Sequence, residues 1–166
     1  FIEDKTSMNI RDIRTRASLL KKKNNIGYII VDYIQLMSGV DAKGKNREQI
    51  VSDISRGLKC IAKELEIPVI ALSQLSRAVE SRPDKMPQLS DLRESGAIEQ
   101  DADVVMFLYR PEYHGIMNDE NGNSVEGQTH INIAKHRNGS TGIVEVKFIT
   151  PVCASVSAKD SDKTTA

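Results

Sequence analysis

Cysteine is scarce in this chain. Its 166 residues hold two, Cys60 and Cys153, far apart and without a C-x-x-C pair. That spacing argues against a disulfide-stapled or zinc-ribbon scaffold and for reduced thiols in a cytosolic protein. The three histidines, His114, His130 and His136, likewise lack the paired spacing of metal ligands. Charge of one sign is also missing in excess. Lys plus Arg and Asp plus Glu number 23 each, so no global basic field announces nucleic acid, and any such contact must come from local clusters. No apolar run reaches the roughly eighteen residues of a membrane span, and the amino terminus shows no signal-peptide pattern. The expectation is a soluble, cytoplasmic protein with no membrane partner. What is present, 39% hydrophobic and 28% charged residues, suffices for one domain with a sizeable core.

The most informative segment is residues 28–35, YIIVDYIQ. Its apolar run ends in a carboxylate, Asp32, as expected of a buried parallel strand covered on both faces, at whose carboxyl end ligands collect. Such a strand suits a Walker B role, with Asp32 reaching Mg2+ through its waters. The alternative is a core strand whose Asp caps the next turn. Before it, Phe1-Ile2 reads as the tail of a strand whose preceding elements are absent, so the chain is expected to be a fragment. Asn9 with Asp12 forms a capping pattern. It opens a helix carrying Ile10, Ile13, Ala17 and Leu20 on one face, closed by Lys21-Lys22-Lys23 at its negative end.

A second helix carries Ile50, Ile54, Leu58, Ile61 and Leu65 on one face and stops before Pro68. A short apolar strand, residues 69–72, then runs into Ser73-Gln74. Residues 76–88 are too polar for core and read as a surface loop. A short helical piece at 97–101 precedes a strand at 104–109. After a long loop with a turn at Asn121-Gly122 come two strands, 130–134 and 143–149, joined at Asn138-Gly139. The tail, residues 155–166, is small and polar and is expected to be disordered. This alternation predicts an α/β core with an antiparallel end.

Four sites have side chains suited to chemistry. Residues 39–46, GVDAKGKN, have G-x-x-x-x-G-K spacing but end in Asn46, which lacks the hydroxyl that a P-loop gives to Mg2+. A flexible basic surface loop is the better reading. Gln74, at a strand end, can touch a γ-phosphate; a loop Gln bonded to backbone is the commoner case. Residues 90–103, SDLRESGAIEQDAD, combine Gly96 with a helix start that could grip a nucleic-acid backbone. Their acids equally suit a solvated loop. In AKHRNG, residues 134–139, Lys135 and Arg137 lie two apart on an extended hairpin mouth and so share a side. Arg137 is there a candidate arginine finger acting in trans, against the alternative of a merely solvated tip.

Taken together, IIVDYIQLM at 29–37, the block REQIVSDISRGLKCIAKELEIPVIALSQLSR at 47–77, SDLRESGAIEQDAD and AKHRNG closely resemble the carboxy-terminal motor domain of bacterial DnaB-type replicative DNA helicases. The blocks occur in that family's order and spacing. The resemblance covers about residues 1–150 and implies a RecA-like, three-layer core with a mostly parallel sheet and a terminal antiparallel hairpin. Residues 1–154 would then be a partial motor domain without its P-loop part. It implies ATP and Mg2+ as cofactors, with Asp32 as the Walker B carboxylate, Gln74 as the sensor, and Lys135 with Arg137 as the trans-acting pair. Arg93, Glu94 and Gly96 fall on the family's DNA-binding loop, and Lys43 and Lys45 on a weaker channel-facing candidate. The implied activity is ATP-driven unwinding of duplex DNA at the replication fork by a homo-hexameric ring moving on single-stranded DNA, with a helicase loader and a primase as partners. Without a P-loop the fragment alone is expected to be inactive. The rivals are another RecA-core ATPase, such as a recombinase, and a non-catalytic interaction module that kept the fold.

Overall fold

The computed structural model describes residues 1–5, 7–40, 43–119, 121–149 and 154–157. Side chains 93–95 and 154–157 lie outside the description. The chain divides into two compact units, one of residues 1–76 and 90–102, the other of residues 77–89 and 103–166.

The first unit opens with α1, Ile10–Asn24. The Asn9 side chain accepts hydrogen bonds from the backbone N–H of Arg11 and Asp12 at 2.9 and 3.1 Å, while Asp12 accepts from the Asn9 N–H at 3.3 Å. This is the reciprocal capping box predicted from the sequence. At the other end the three lysines occupy the last turn, where they face the negative pole of the helix. Strand β1, Ile29–Val31, pairs in parallel with β2, Val69–Ala71, in the register Ile29 to Val69, Ile30 to Ile70 and Val31 to Ala71. Between them runs α2, Arg47–Leu65, capped by Asn46 and ended by Glu66 in a left-handed conformation two residues before Pro68. A six-residue helix α3, Gly96–Asp101, completes the unit.

The core of this unit gathers Val31, Ile34, Met37, Val51, Ile54 and Leu58, with Ile10, Ile13, Ile29, Ile50, Val69 and Ile98 packed against it. Ile34, Val51, Ile54 and Ile61 are among the most completely buried side chains, each worth about 1.5–3 kcal/mol over exposure. Close packing extends to the helix pair. A Cβ on Gly57 of α2 would collide with Cγ1 of Ile10 in α1, so glycine lets the two helices approach. Among the described residues the two faces of the parallel pair differ in cover. Ile30 and Ile70, side by side on one face, are 56% and 50% exposed. Phe1 and Ile2 form no strand and are 83% and 95% exposed. Among the described residues no neighbouring strand pairs with them.

The second unit is a four-stranded antiparallel sheet in the order β3, Val104–Tyr109; β4, Gln128–His136; β5, Gly142–Ile149; β6, Ala154–Ser157. Parallel pairing is thus confined to β1 and β2 among the described strands. Strand β3 alternates exposed and buried residues, turning Val105, Phe107 and Tyr109 inward and Met106 and Leu108 outward. β4 and β5 meet at the expected Asn138-Gly139 tip. The predicted Asn121-Gly122 turn also forms. Gly122 has φ +82° there, and Asp119 accepts from the backbone of Asn121 and Asn123.

Two sequence expectations need correction here. Ser155, Val156 and Ser157 belong to β6, paired with β5 through backbone bonds that polar side chains do not prevent; residues 158–166 lie outside the described residues. Residues 76–88 are not simply a surface loop. A 3-10 turn at Arg77–Ser81 buries Val79, and the Tyr109 hydroxyl donates to the Asp84 carbonyl at 2.7 Å. Burial, aided by the Asp84 charge, raises the Tyr109 pKa. Backbone polar groups met by partners of this kind let a polar segment pack.

Candidate functional site

The carboxyl ends of β1 and β2 deliver Asp32 and Gln74 to the same edge of the parallel pair, since Val31 stands opposite Ala71. Two further bonds prolong the ladder past the strands. Leu72 N–H donates to the Val31 carbonyl at 2.9 Å, and Ile34 N–H to the Leu72 carbonyl at 3.0 Å. Asp32 sits between those two anchors and is exposed. Among the described residues its carboxylate has no ion-pair or hydrogen-bond partner. A carboxylate at such an edge fits a hard, oxygen-seeking cation. Among the described residues no cluster of three His, Cys, Asp or Glu side chains could hold a metal by protein ligands alone. Asp32 is thus a lone exposed carboxylate at that edge.

Gln74 has an exposed side chain and a clamped backbone. Its N–H donates to Oε1 of Gln35 at 3.2 Å, and its carbonyl accepts from Gln35 Nε2 at 3.2 Å. The same Nε2 lies 2.9 Å from the Ser73 hydroxyl. Gln35 sits on the 3-10 turn Ile34–Leu36, anchored by the buried Ile34. Sequence reasoning passed over it. The only available signal was an amide three residues beyond Asp32, at a strand end.

The P-loop near miss has a structural occupation. Asn46 accepts from the Gln49 N–H at 2.8 Å while Gln49 accepts from the Asn46 N–H at 3.0 Å, a capping box that starts α2. Lys45 is 2.7 Å from Asp53 on the same helix. Arg93 and Glu94 lie on the 3-10 turn Leu89–Ser95, with side chains outside the described residues. Gly96 follows at the start of α3, exposed, with open space where a Cβ would stand.

In the second unit Lys135 lies in β4 opposite Val105, half-buried, and Arg137 is the first residue beyond the strand. Both stand at the hairpin mouth. Arg137 N–H donates to the Asp103 carbonyl at 2.8 Å, and its Nε is 3.3 Å from Asp103 Oδ1. The neighbouring tip is tight, because a Cβ on Gly139 would collide with the His136 ring.

The second unit also holds a cavity of about 410 Å³ that the sequence did not reveal, lined by Leu108, Arg110, Tyr113, Thr129, Val146 and Phe148. The Arg110 guanidinium lies 4.0 Å from the centre of the Phe148 ring, a cation–π arrangement. Glu112 fixes this wall by accepting from Arg110 and, at 2.6 Å, from the Gly127 N–H. The Gly127 bond first, then Arg110, hold its carboxyl below the usual range.

Known proteins match this arrangement along nearly the whole chain. The family described as DnaB-like helicase C terminal domain matches residues 1–154. The replicative DNA helicase DnaB of Geobacillus stearothermophilus is 52% identical over 149 residues, covering 90% of this chain and 32% of the relative. That of Rickettsia prowazekii is 52% identical over 160 residues, covering 89% and 33%. Among solved structures, one described as an ATPase domain superposes with a TM-score of 0.84 at 42% identity, covering 93% of this chain and 53% of that one. A DnaB-like replicative helicase, whose structure includes its interactions with primase, gives 0.81 at 43% identity, over 89% and 35%. The chain thus spans about a third of the length of the curated relatives it matches, and its α/β fold is that of a RecA-like helicase ATPase domain. By sequence along residues 1–154 and by backbone superposition, this chain belongs to the DnaB-like helicase C-terminal domain family.

Proposed function

We propose that this chain is the distal part of a replicative DNA helicase motor, in which Asp32 and Gln74 face a Mg2+-bound ATP. The observation that carries this reading is the shared carboxyl edge from which both residues leave the parallel pair. An edge of this kind is where open α/β sheets take ligands. Bound there, Mg-ATP supplies the phosphoryl group whose hydrolysis drives movement. Asp32 orders the water shell of the cation, and the Gln74 amide offers a donor toward the terminal phosphate. Lys135 and Arg137 project from the hairpin mouth toward a neighbouring subunit's nucleotide, where a guanidinium in trans neutralises charge on the transferring group.

The full-length protein acts as a homo-hexameric ring on single-stranded DNA, with Arg93, Glu94 and Gly96 at the strand. Contact there runs mainly through phosphates, so binding is indifferent to sequence and sensitive to salt. A helicase loader and a primase are its protein partners, and the cytoplasm is its compartment. These 166 residues hold no G-x-x-x-x-G-K-[ST], and alone they bind Mg-ATP weakly or not at all.

Replacing Asp32 by Asn in the full-length helicase tests the reading. DNA-stimulated ATP turnover is lost and hexamers still assemble; normal turnover would refute it.

A further inference from the structure

We infer that Gln35 is a positioning residue for Gln74, a side-chain clamp that sets where the Gln74 amide points. The inference rests on the reading that Gln74 meets the nucleotide. Gln35 makes three side-chain bonds, two of them closing a ring with Gln74: it accepts the Gln74 N–H and donates to the Gln74 carbonyl, both at 3.2 Å, and donates to Ser73 Oγ at 2.9 Å. The amide orientation follows from chemistry, because only Oε1 can accept from a backbone N–H.

The clamp matters because the strand ladder stops short of Gln74. The last ladder bonds engage Leu72, through Val31 and Ile34. Two residues further, Gln74 has left the sheet, and the Gln35 primary amide takes the place of a neighbouring strand's peptide group. Both backbone groups of Gln74 are thereby occupied, and its side chain is left exposed beyond the carboxyl end of β2. A side chain on a backbone held in this way meets a ligand with its geometry already set.

Gln35 is also held from a second direction. Arg47, in the first turn of α2, donates from its guanidinium to the Gln35 carbonyl. That bond closes the base of the loop that carries Lys43 and Lys45, since Gln35 and Arg47 flank it in sequence. One residue therefore joins the base of a basic loop to the backbone of Gln74.

The test uses the full-length hexameric helicase and reads the factor by which single-stranded DNA raises its basal ATPase rate. Four proteins are compared: wild type, Gln35→Ala, Gln74→Ala and the double variant. Gln74→Ala abolishes the stimulation. Gln35→Ala lowers it by about tenfold while Mg-ATP affinity stays within about twofold, as befits loss of orientation without loss of a ligand contact. In the Gln74→Ala background the Gln35 substitution has no further effect on the basal rate, which a general loss of stability would not reproduce. Full stimulation in Gln35→Ala beside an inactive Gln74→Ala would overturn the inference and leave the Gln74 reading intact. Full stimulation in Gln74→Ala would overturn the underlying reading. A basal rate that falls equally with Gln35→Ala in both backgrounds would make Gln35 a purely structural residue and overturn the inference.

Discussion

Arg137 is held twice by Asp103, once backbone to backbone at 2.8 Å and once through an ion pair at 3.3 Å. Both side chains of that pair are about half exposed, so the ionic part is weak and readily exchanged. Asp103→Asn is therefore expected to change stability by less than about 1 kcal/mol, as measured by urea unfolding. Arg137→Ala in the full-length helicase leaves stability similarly unmoved. It lowers turnover by about a thousandfold or more, the scale of a trans-acting arginine, with Mg-ATP binding retained in a calorimetric titration.

Asn46 separates the capping account from a phosphate-binding one. Asn46→Ala should cost about 1 kcal/mol by removing the α2 cap. Asn46→Ser keeps a cap and completes G-x-x-x-x-G-K-S in sequence. Equilibrium dialysis with Mg-ATP should show no gain of affinity in the serine variant; a gain would restore residues 39–46 as a nucleotide cradle.

The contact of Gly57 with Ile10 predicts a steric defect that a second substitution relieves. Gly57→Ala drives a methyl group into Ile10 Cγ1 and should destabilise the first unit by about 1–3 kcal/mol. Ile10→Ala in the same protein should recover part of that loss. Equal destabilisation with and without the Ile10 change would show that the helices do not meet at this point.

Glu112 predicts an acid dependence of known sign. Its folded pKa is lowered, first by the Gly127 N–H and then by Arg110. The stability it contributes is present above the unfolded carboxylate value of about 4.3 and fades as pH falls through the lower folded value. Glu112→Gln should be less stable than the parent at pH 7 and down to about pH 5, with the gap closing below about pH 4. A gap that stays constant into acid would remove the charge from the account.

How much of this was legible in the sequence varies by element. The α1 cap was readable because a capping box links residues only three apart, and the buried face of α2 because helical periodicity repeats over five turns; the α2 cap at Asn46 was hidden behind the P-loop spacing that ends at the same residue. The strand ends that carry Asp32 and Gln74 were readable for the same local reason, and the family resemblance supplied roles that composition cannot. What escaped depends on partners distant in sequence. Gln35 meets Ser73 and Gln74 thirty-eight and thirty-nine positions away, and the Val79 turn is ordered by contacts no local pattern displays.

The most direct test of the central claim mixes two inactive full-length helicases, Asp32→Asn and Arg137→Ala, under conditions that exchange subunits, and follows ATP turnover. Mixed rings contain junctions where an intact Asp32 meets an intact Arg137 from the next subunit, so turnover returns on mixing though neither parent has any. A mixture that exchanges subunits and stays inactive, or an Arg137→Ala protein that hydrolyses ATP normally by itself, would contradict the account.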